Sequence, residues 1–270
     1  MPGVEWLLLY LVLGTLTGFL AGLLGLGGGG ILVPLLVTIF AWQGFGTDNV
    51  VHLALGTTLV ACMMIASLAS LRAHALRGAV EWRFVRGMAP GIMLGAFVVA
   101  QLVGNVNSAY IALFFSLFMA LMAVQHFLDW QPRPNPRPTT LPGLAAVGVV
   151  IGAVFTIAAV GGGFLTFIYL GYKNVDLKKA IGTSAAMALP ISISGAIGYM
   201  VSGWSRTVST PYTLGYVYVP AFVAIAIAIA VAAPYGARYS HSLPDAQLKK
   251  WFAVVSLVLS IKMFVSFLQF

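Results

Sequence analysis

Apolar positions in this chain run on without the period-two alternation of a half-buried strand, in stretches long enough to be measured against a lipid bilayer. Ten segments stand out, at 6–26, 31–42, 51–71, 87–104, 107–128, 143–160, 164–171, 181–203, 212–235 and 251–269. Several reach the ~20 residues a helix needs to cross about 30 Å of hydrocarbon. In lipid, only helices or a closed barrel satisfy their own backbone hydrogen bonds, and unbroken apolar runs select helices. The pattern therefore predicts an all-α polytopic membrane protein. The first segment has no basic residue ahead of it and runs into glycines rather than a cleavage site, so it reads as a retained span and not as a removed signal peptide.

The segments fall into two sets of five. The first set carries Gly14, Gly18 and then Gly27, Gly28, Gly29 and Gly30; 134 residues later the second carries Gly148, Gly152 and then Gly161, Gly162 and Gly163. Ala54-Leu55-Gly56-Thr57-Thr58 is matched by Ala180-Ile181-Gly182-Thr183-Ser184, and more weakly Gly95-Ala96 by Gly236-Ala237. Between the sets, Gln131 to Pro142 holds Pro132, Pro134, Pro136, Pro138 and Pro142, an extended connector that cannot continue a helix. The expected organisation is a first transmembrane repeat at 1–130, a Pro-rich linker at 131–142 and a second repeat at 143–270.

Composition sharpens this picture. Of 270 residues, 60% are hydrophobic and 7% charged, against about 25% charged in soluble domains. The net charge of +8 sits in short loops and forms no aromatic-rich basic face, which argues against a nucleic-acid partner and for a topology signal. If the loop with Arg72, Arg77, Arg83 and Arg86 is cytoplasmic, the linker arginines Arg133 and Arg137, then Lys173, Lys178 and Lys179, then Arg238, Lys249 and Lys250 follow it there. Arg206 alone lies in an outside loop, and Lys262 sits inside the last segment, where snorkelling toward the interface is the favoured reading. This bookkeeping turns the second repeat upside down relative to the first and leaves both termini outside. Trp6, Trp82 and Trp204 read as interfacial anchors.

Segments 31–42 and 164–171 are too short to cross the core. Each predicts a half-helix opening just after its glycines, with free N–H groups and a positive dipole end held within the membrane, where an anion is the natural ligand. The substrate-binding set is accordingly Gly27, Gly28, Gly29, Gly30, Gly161, Gly162 and Gly163, with hydroxyls from Thr57, Thr58, Thr183 and Ser184. Interrupted segments paired between two halves are the sequence pointer to a transport site near the bilayer midplane.

Blander readings exist for each feature. Gly14, Gly18 and Gly22 are spaced for helix packing, and the four hydroxyls have the option of bonding back to their own helices. Ser67, Ser70, Ser192 and Ser194 read as helix contacts. Cys62 rules out an internal disulfide and reads as a packing residue. His52 and His74, near segment ends, are expected to meet water, and with no partner at ligand spacing no metal or other cofactor is expected. An intramembrane hydrolase built on Ser194-Gly195 lacks a base, so no enzyme is expected. A channel, or a scaffold or sensor that transports nothing, remains as a competing class.

The duplicated motifs, from Gly22 to Pro34 with Gly56-Thr57-Thr58, and Gly161-Gly162-Gly163-Phe164 with Gly182-Thr183-Ser184, resemble the sulfite exporter TauE/SafE family over about residues 8 to 268. The resemblance implies transport of a small sulfur-containing anion, such as sulfite or an organosulfonate, across a bacterial plasma or inner membrane. The departures from a perfect duplicate, Gly30 against Phe164 and Thr58 against Ser184, point to an asymmetric pocket. All six acidic residues, Glu5, Asp48, Glu81, Asp129, Asp176 and Asp245, lie at segment ends or in loops, so no carboxylate proton relay is visible in the membrane. Voltage-driven export is the simplest expectation; the alternatives are an anion channel and an uptake carrier for sulfate or thiosulfate coupled to H⁺ or Na⁺. The partners expected are the anion and the bilayer, and a homo-oligomer is compatible with the sequence.

Overall fold

A computed structural model describes residues 3–24, 28–46, 48–128, 139–159, 163–207, 210–240 and 245–269. The chain is helical nearly throughout. In the first half, α1 (Val4–Leu24) and α2 (Gly29–Trp42) precede α3 (Val50–Thr58), which runs through a π-helical stretch at Leu59–Met64 into α4 (Ile65–Leu76). α5 (Trp82–Val103) and α6 (Ser108–Leu128) complete it. The second half has α7 (Leu141–Ala158), α8 (Gly163–Tyr172), α9 (Leu177–Gly203), α10 (Val219–Ser240) and α11 (Asp245–Gln269). Among the described residues, seven helices are long and apolar enough to span a membrane, and the protein is an all-α multi-pass membrane protein.

The expected segments overlap these helices; α5, α9 and α11 begin earlier than expected, at Trp82, Leu177 and Asp245, and three further differences stand out. The glycines that close each break also open the next helix, because α2 and α8 start at Gly29 and Gly163 themselves. The segment expected at 51–71 continues to Leu76, with the π-helical turn in the middle. The start of the segment expected at 212–235 is a small antiparallel hairpin, with β1 (Thr213–Leu214) paired to β2 (Val217–Tyr218), before α10 begins. Most of the Pro-rich linker, residues 129–138, lies outside the described residues.

Local chemistry sets several helix starts. Thr140 caps α7, its hydroxyl oxygen accepting from the Gly143 amide at 3.3 Å with Pro142 in the first turn. Asp176 caps α9 by accepting from the Lys178 amide at 3.0 Å and the Lys179 amide at 3.5 Å.

The packing interleaves the halves. α1 lies along α10, α5 along α7, and α6 along α11. The first two pairs meet backbone to backbone: a Cβ at Gly14 would lie 2.9 Å from the Ile225 Cα, and one at Gly18 2.8 Å from that of Ile229. In the second half, a Cβ at Gly148 would lie 2.4 Å from the Met88 carbonyl oxygen and one at Gly152 2.2 Å from that of Ile92. Gly14 and Gly18 are thus packing glycines, as their spacing suggests.

At one end of the molecule, the start of α1 meets the end of α2: Gly3, Trp6, Gln43 and Phe45 border a cavity of about 430 Å³ with Pro211 and Tyr218. The Tyr10 hydroxyl donates to Gln43 Oε1 at 2.6 Å, and the Tyr10, Phe40, Phe45 and Tyr218 rings pack edge to face. α2 therefore turns back toward the side from which α1 came. Arg206 sits at this end, its guanidinium donating to Asn105 Oδ1. At the opposite end, Lys179 pairs with Glu81 at 2.7 Å, and Gly87 packs on Leu144.

Candidate functional site

α2 begins where the backbone can turn only through glycine. Gly28 caps it at φ 68°, ψ −13°, in the left-handed region, and as glycine offers the first amides no capping side chain. The amides of Ile31 and Leu32 both bond the Gly28 carbonyl, at 3.2 and 3.0 Å, which leaves those of Gly29 and Gly30 without an intrahelical partner. Three residues on, Pro34 has no N–H to offer the Gly30 carbonyl. The first turn is buried at Gly28, Gly29, Gly30 and Ile31.

The end of α7 comes directly against it. A Cβ at Gly29 would stand 1.8 Å from the Ala159 carbonyl oxygen and 3.2 Å from the Thr58 methyl. Ala159 ends α7 in the left-handed region, at φ 45° and ψ 22°, which an alanine adopts only at a cost of roughly 1–2 kcal/mol. The start of α2, the end of α7 and the α3–π junction thus share one point in the core. Gly27, Gly161 and Gly162 lie outside the described residues, and Gly163 is described only as the first residue of α8.

The four hydroxyls of the Gly-Thr motifs have three different fates. Thr57 Oγ1 accepts from the backbone amide of Tyr218 at 3.0 Å, just before α10; Thr183 Oγ1 accepts from that of Glu81 at 2.8 Å, just before α5. Each threonine therefore clamps the entry to a long helix of the other half. The glycines before them repeat the relation. A Cβ at Gly56 would lie 2.2 Å from the Tyr216 carbonyl oxygen, and one at Gly182 2.0 Å from that of Ala79. Ser184 donates to the Ile181 carbonyl of its own helix at 2.8 Å. Thr58 is fully buried beside Gly29, and its hydroxyl has no partner among the described residues.

Two features of the described helices escaped the sequence reading. The π-helical stretch after Thr58 shifts the hydrogen-bond ladder by one residue where the helix passes the break, a geometry that recurs at functional sites. Thr166 on α8 and Ser256 on α11 are buried hydroxyls without partners among the described residues; as isolated hydroxyls in apolar runs they gave no pattern to detect. Lys262 does not reach for the interface. Its ammonium is half-buried and donates to the Pro34 carbonyl of α2 at 2.6 Å and to the Thr38 hydroxyl.

Other residues are placed structurally. His52 is buried rather than wet, at 1% exposure, its Nε2 at hydrogen-bond distance (2.9 Å) from the Val103 carbonyl and its ring stacked on Tyr216 at 4.9 Å. The Ser194 hydroxyl donates to the Met93 carbonyl at 2.6 Å, a contact between α9 and α5. The side chain of Cys62 lies outside the described residues.

The chain is similar in sequence to known membrane proteins. Residues 10–263 match the sequence model of the family described as sulfite exporter TauE/SafE. A probable membrane transporter protein of Haemophilus influenzae is 33% identical over 261 residues, covering 96% of this chain and 98% of its own. Another probable membrane transporter, from Methanocaldococcus jannaschii, is 26% identical over 89% of each chain. A third, YunE of Bacillus subtilis, is 27% identical over 71% of this chain and 77% of its own.

Proposed function

Because the chain belongs to the sulfite exporter TauE/SafE family, whose members are membrane transporters and not enzymes, we propose that it is a secondary transporter exporting a small sulfur-containing anion. The anion binds near the bilayer midplane at the helix breaks and moves by alternating access. The observation that carries this reading is the meeting of two helix ends: the start of α2 abuts Ala159 at the end of α7, with the Thr58 side chain beside them. Uncapped amides and an orphan hydroxyl inside a membrane protein form a site short of a negative partner.

The two halves act as inverted repeats in this proposal. Support comes from the paired contacts, since Gly14 on Ile225 and Gly148 on Met88, or Thr57 on Tyr218 and Thr183 on Glu81, are the same relation with the halves exchanged. The basic residues favour the Lys179–Glu81 end as cytoplasmic. Repeats arranged this way rock about a shared axis, closing one entrance as they open the other.

Membrane potential supplies the driving force. A divalent anion gains about 4.6 kcal/mol per 100 mV on leaving a negative interior, enough for a gradient above about 1,000-fold. The test is flux of radiolabelled sulfite, thiosulfate, sulfate and sulfoacetate in proteoliposomes with imposed voltage, H⁺ or Na⁺ gradients. Saturable sulfite flux that follows voltage alone is expected. Flux that requires H⁺ or Na⁺ replaces export with coupled uptake, non-saturating flux replaces the carrier with a channel, and no flux of any of these anions rejects the proposal.

A further inference from the structure

The first turn of α2 also borders a small, partly open cavity of about 20 Å³, lined by Gly28, Gly30, Ile31, Met119, Ser256 and Leu259 among others. That is room for one water-sized group. Ser256 comes from α11, an element far from either glycine break in the sequence. It is fully buried, and its hydroxyl has no partner among the described residues.

An orphan hydroxyl is informative because a helix offers an easy alternative. Thr17, Thr156 and Thr207 each donate to the carbonyl four residues back, at 2.7, 2.8 and 3.0 Å. Ser260, one turn beyond Ser256 on the same helix, donates to the Ser116 carbonyl at 2.9 Å. Ser256 does neither, although the wall around it is otherwise apolar and Ala253 fills a neighbouring position with no polar group to satisfy. Leaving a buried hydroxyl unpaired costs stability, so a hydroxyl held here awaits a ligand.

The chemistry of the cavity selects that ligand. Backbone amides at a helix start only donate, the helix dipole adds positive potential, and the serine hydroxyl is free to donate with them. A group that only accepts, and carries negative charge, satisfies all of these at once. We propose that Ser256 and the first turn of α2 form a subsite for a single oxygen atom of the transported oxyanion, an assignment that builds on the transport reading above. The rest of the ion stays outside the cavity, which has no room for a bulkier substituent on that side. The subsite therefore prefers an anion presenting a bare oxygen over one presenting a carbon chain there.

The experiment compares wild type, Ser256→Ala and Ser260→Ala in proteoliposomes over a range of radiolabelled sulfite concentrations, with sulfite protection against thermal unfolding measured in detergent. Ser256→Ala is expected to raise the KM for sulfite about tenfold, equivalent to 1.4 kcal/mol, and to abolish most of the thermal protection. Ser260→Ala is expected to lower the unfolding temperature without moving KM. A Ser256→Ala protein with wild-type KM and protection overturns the subsite, and so does one that loses stability alone, since the cavity then holds only a structural water. Those results leave the transport reading intact, whereas absence of saturable flux in wild type removes both.

Discussion

Gly29 is the most tightly enclosed of the described glycines, because the Ala159 carbonyl occupies the place of its missing side chain at 1.8 Å. Neither neighbour is a flexible side-chain tip that can move aside. Gly29→Ala is therefore expected to push α2 away from α7 and to cut sulfite flux in proteoliposomes more than tenfold, while the protein still inserts and purifies as a folded species. Gly171, near the end of α8, has nothing within 4 Å of an added Cβ. Gly171→Ala should leave flux within twofold of wild type, and an equal loss in both variants would remove the special role of the break. Lys262 acts at the same scale. Replacing it by Met keeps the volume but removes the donor to Pro34. Because exchanging a buried polar contact for apolar packing is often near neutral for stability, the expected signature of Lys262→Met is reduced flux at an unfolding temperature within a few degrees of wild type.

Between elements, the two threonine clamps invite a paired measurement. Thr57→Val and Thr183→Val each remove the acceptor of a backbone amide at the entry to a helix of the other half. A buried amide left unpaired costs about 1–3 kcal/mol. The Tyr218–Thr57 contact is buried, whereas the Glu81–Thr183 contact is only partly buried and water can replace the lost acceptor there. Thermal unfolding in detergent should therefore find Thr57→Val the more destabilising of the two. The ion pair beside the second clamp adds little. Lys179 and Glu81 are partly exposed, and pairs of that kind contribute roughly 0–1 kcal/mol, so Glu81→Gln should shift the unfolding temperature less than either threonine change. A larger shift would identify the pair as the true latch of that end.

For the molecule as a whole, the testable quantity is orientation. The contacts put Gln43, Asn105, Arg206 and Tyr218 at one end and Glu81, Lys179 and Leu144 at the other. The distribution of Lys and Arg favours the second end as cytoplasmic. Reporter fusions at the C-terminus should then be active on the outer side of the membrane. A cytoplasmic C-terminus would mean that α7 and α8 do not go in and return to one side, and the inverted arrangement would fail with it.

The residues alone were enough to establish that this chain is a multi-pass membrane protein, and they are the ground for proposing that it is built twice over with an interrupted helix in each half. Those properties follow from local chemistry: run length against bilayer thickness, the helix-breaking effect of clustered glycines, and the motif shared by Gly56-Thr57 and Gly182-Thr183. What else each hydroxyl holds was decided elsewhere. Thr57 and Thr183 read as ligand donors in isolation; in the fold their oxygens also accept the backbone amides entering α10 and α5, which leaves each O–H to donate, through contacts 161 and 102 residues distant in sequence. Ser256 and Lys262 carried no motif, and only the packing of α11 against α2 and α6 brought them to the break. A hydroxyl's role depends on whether a partner stands within about 3 Å, and in a bundle of interleaved halves that partner comes from distant chain, which local pattern does not encode.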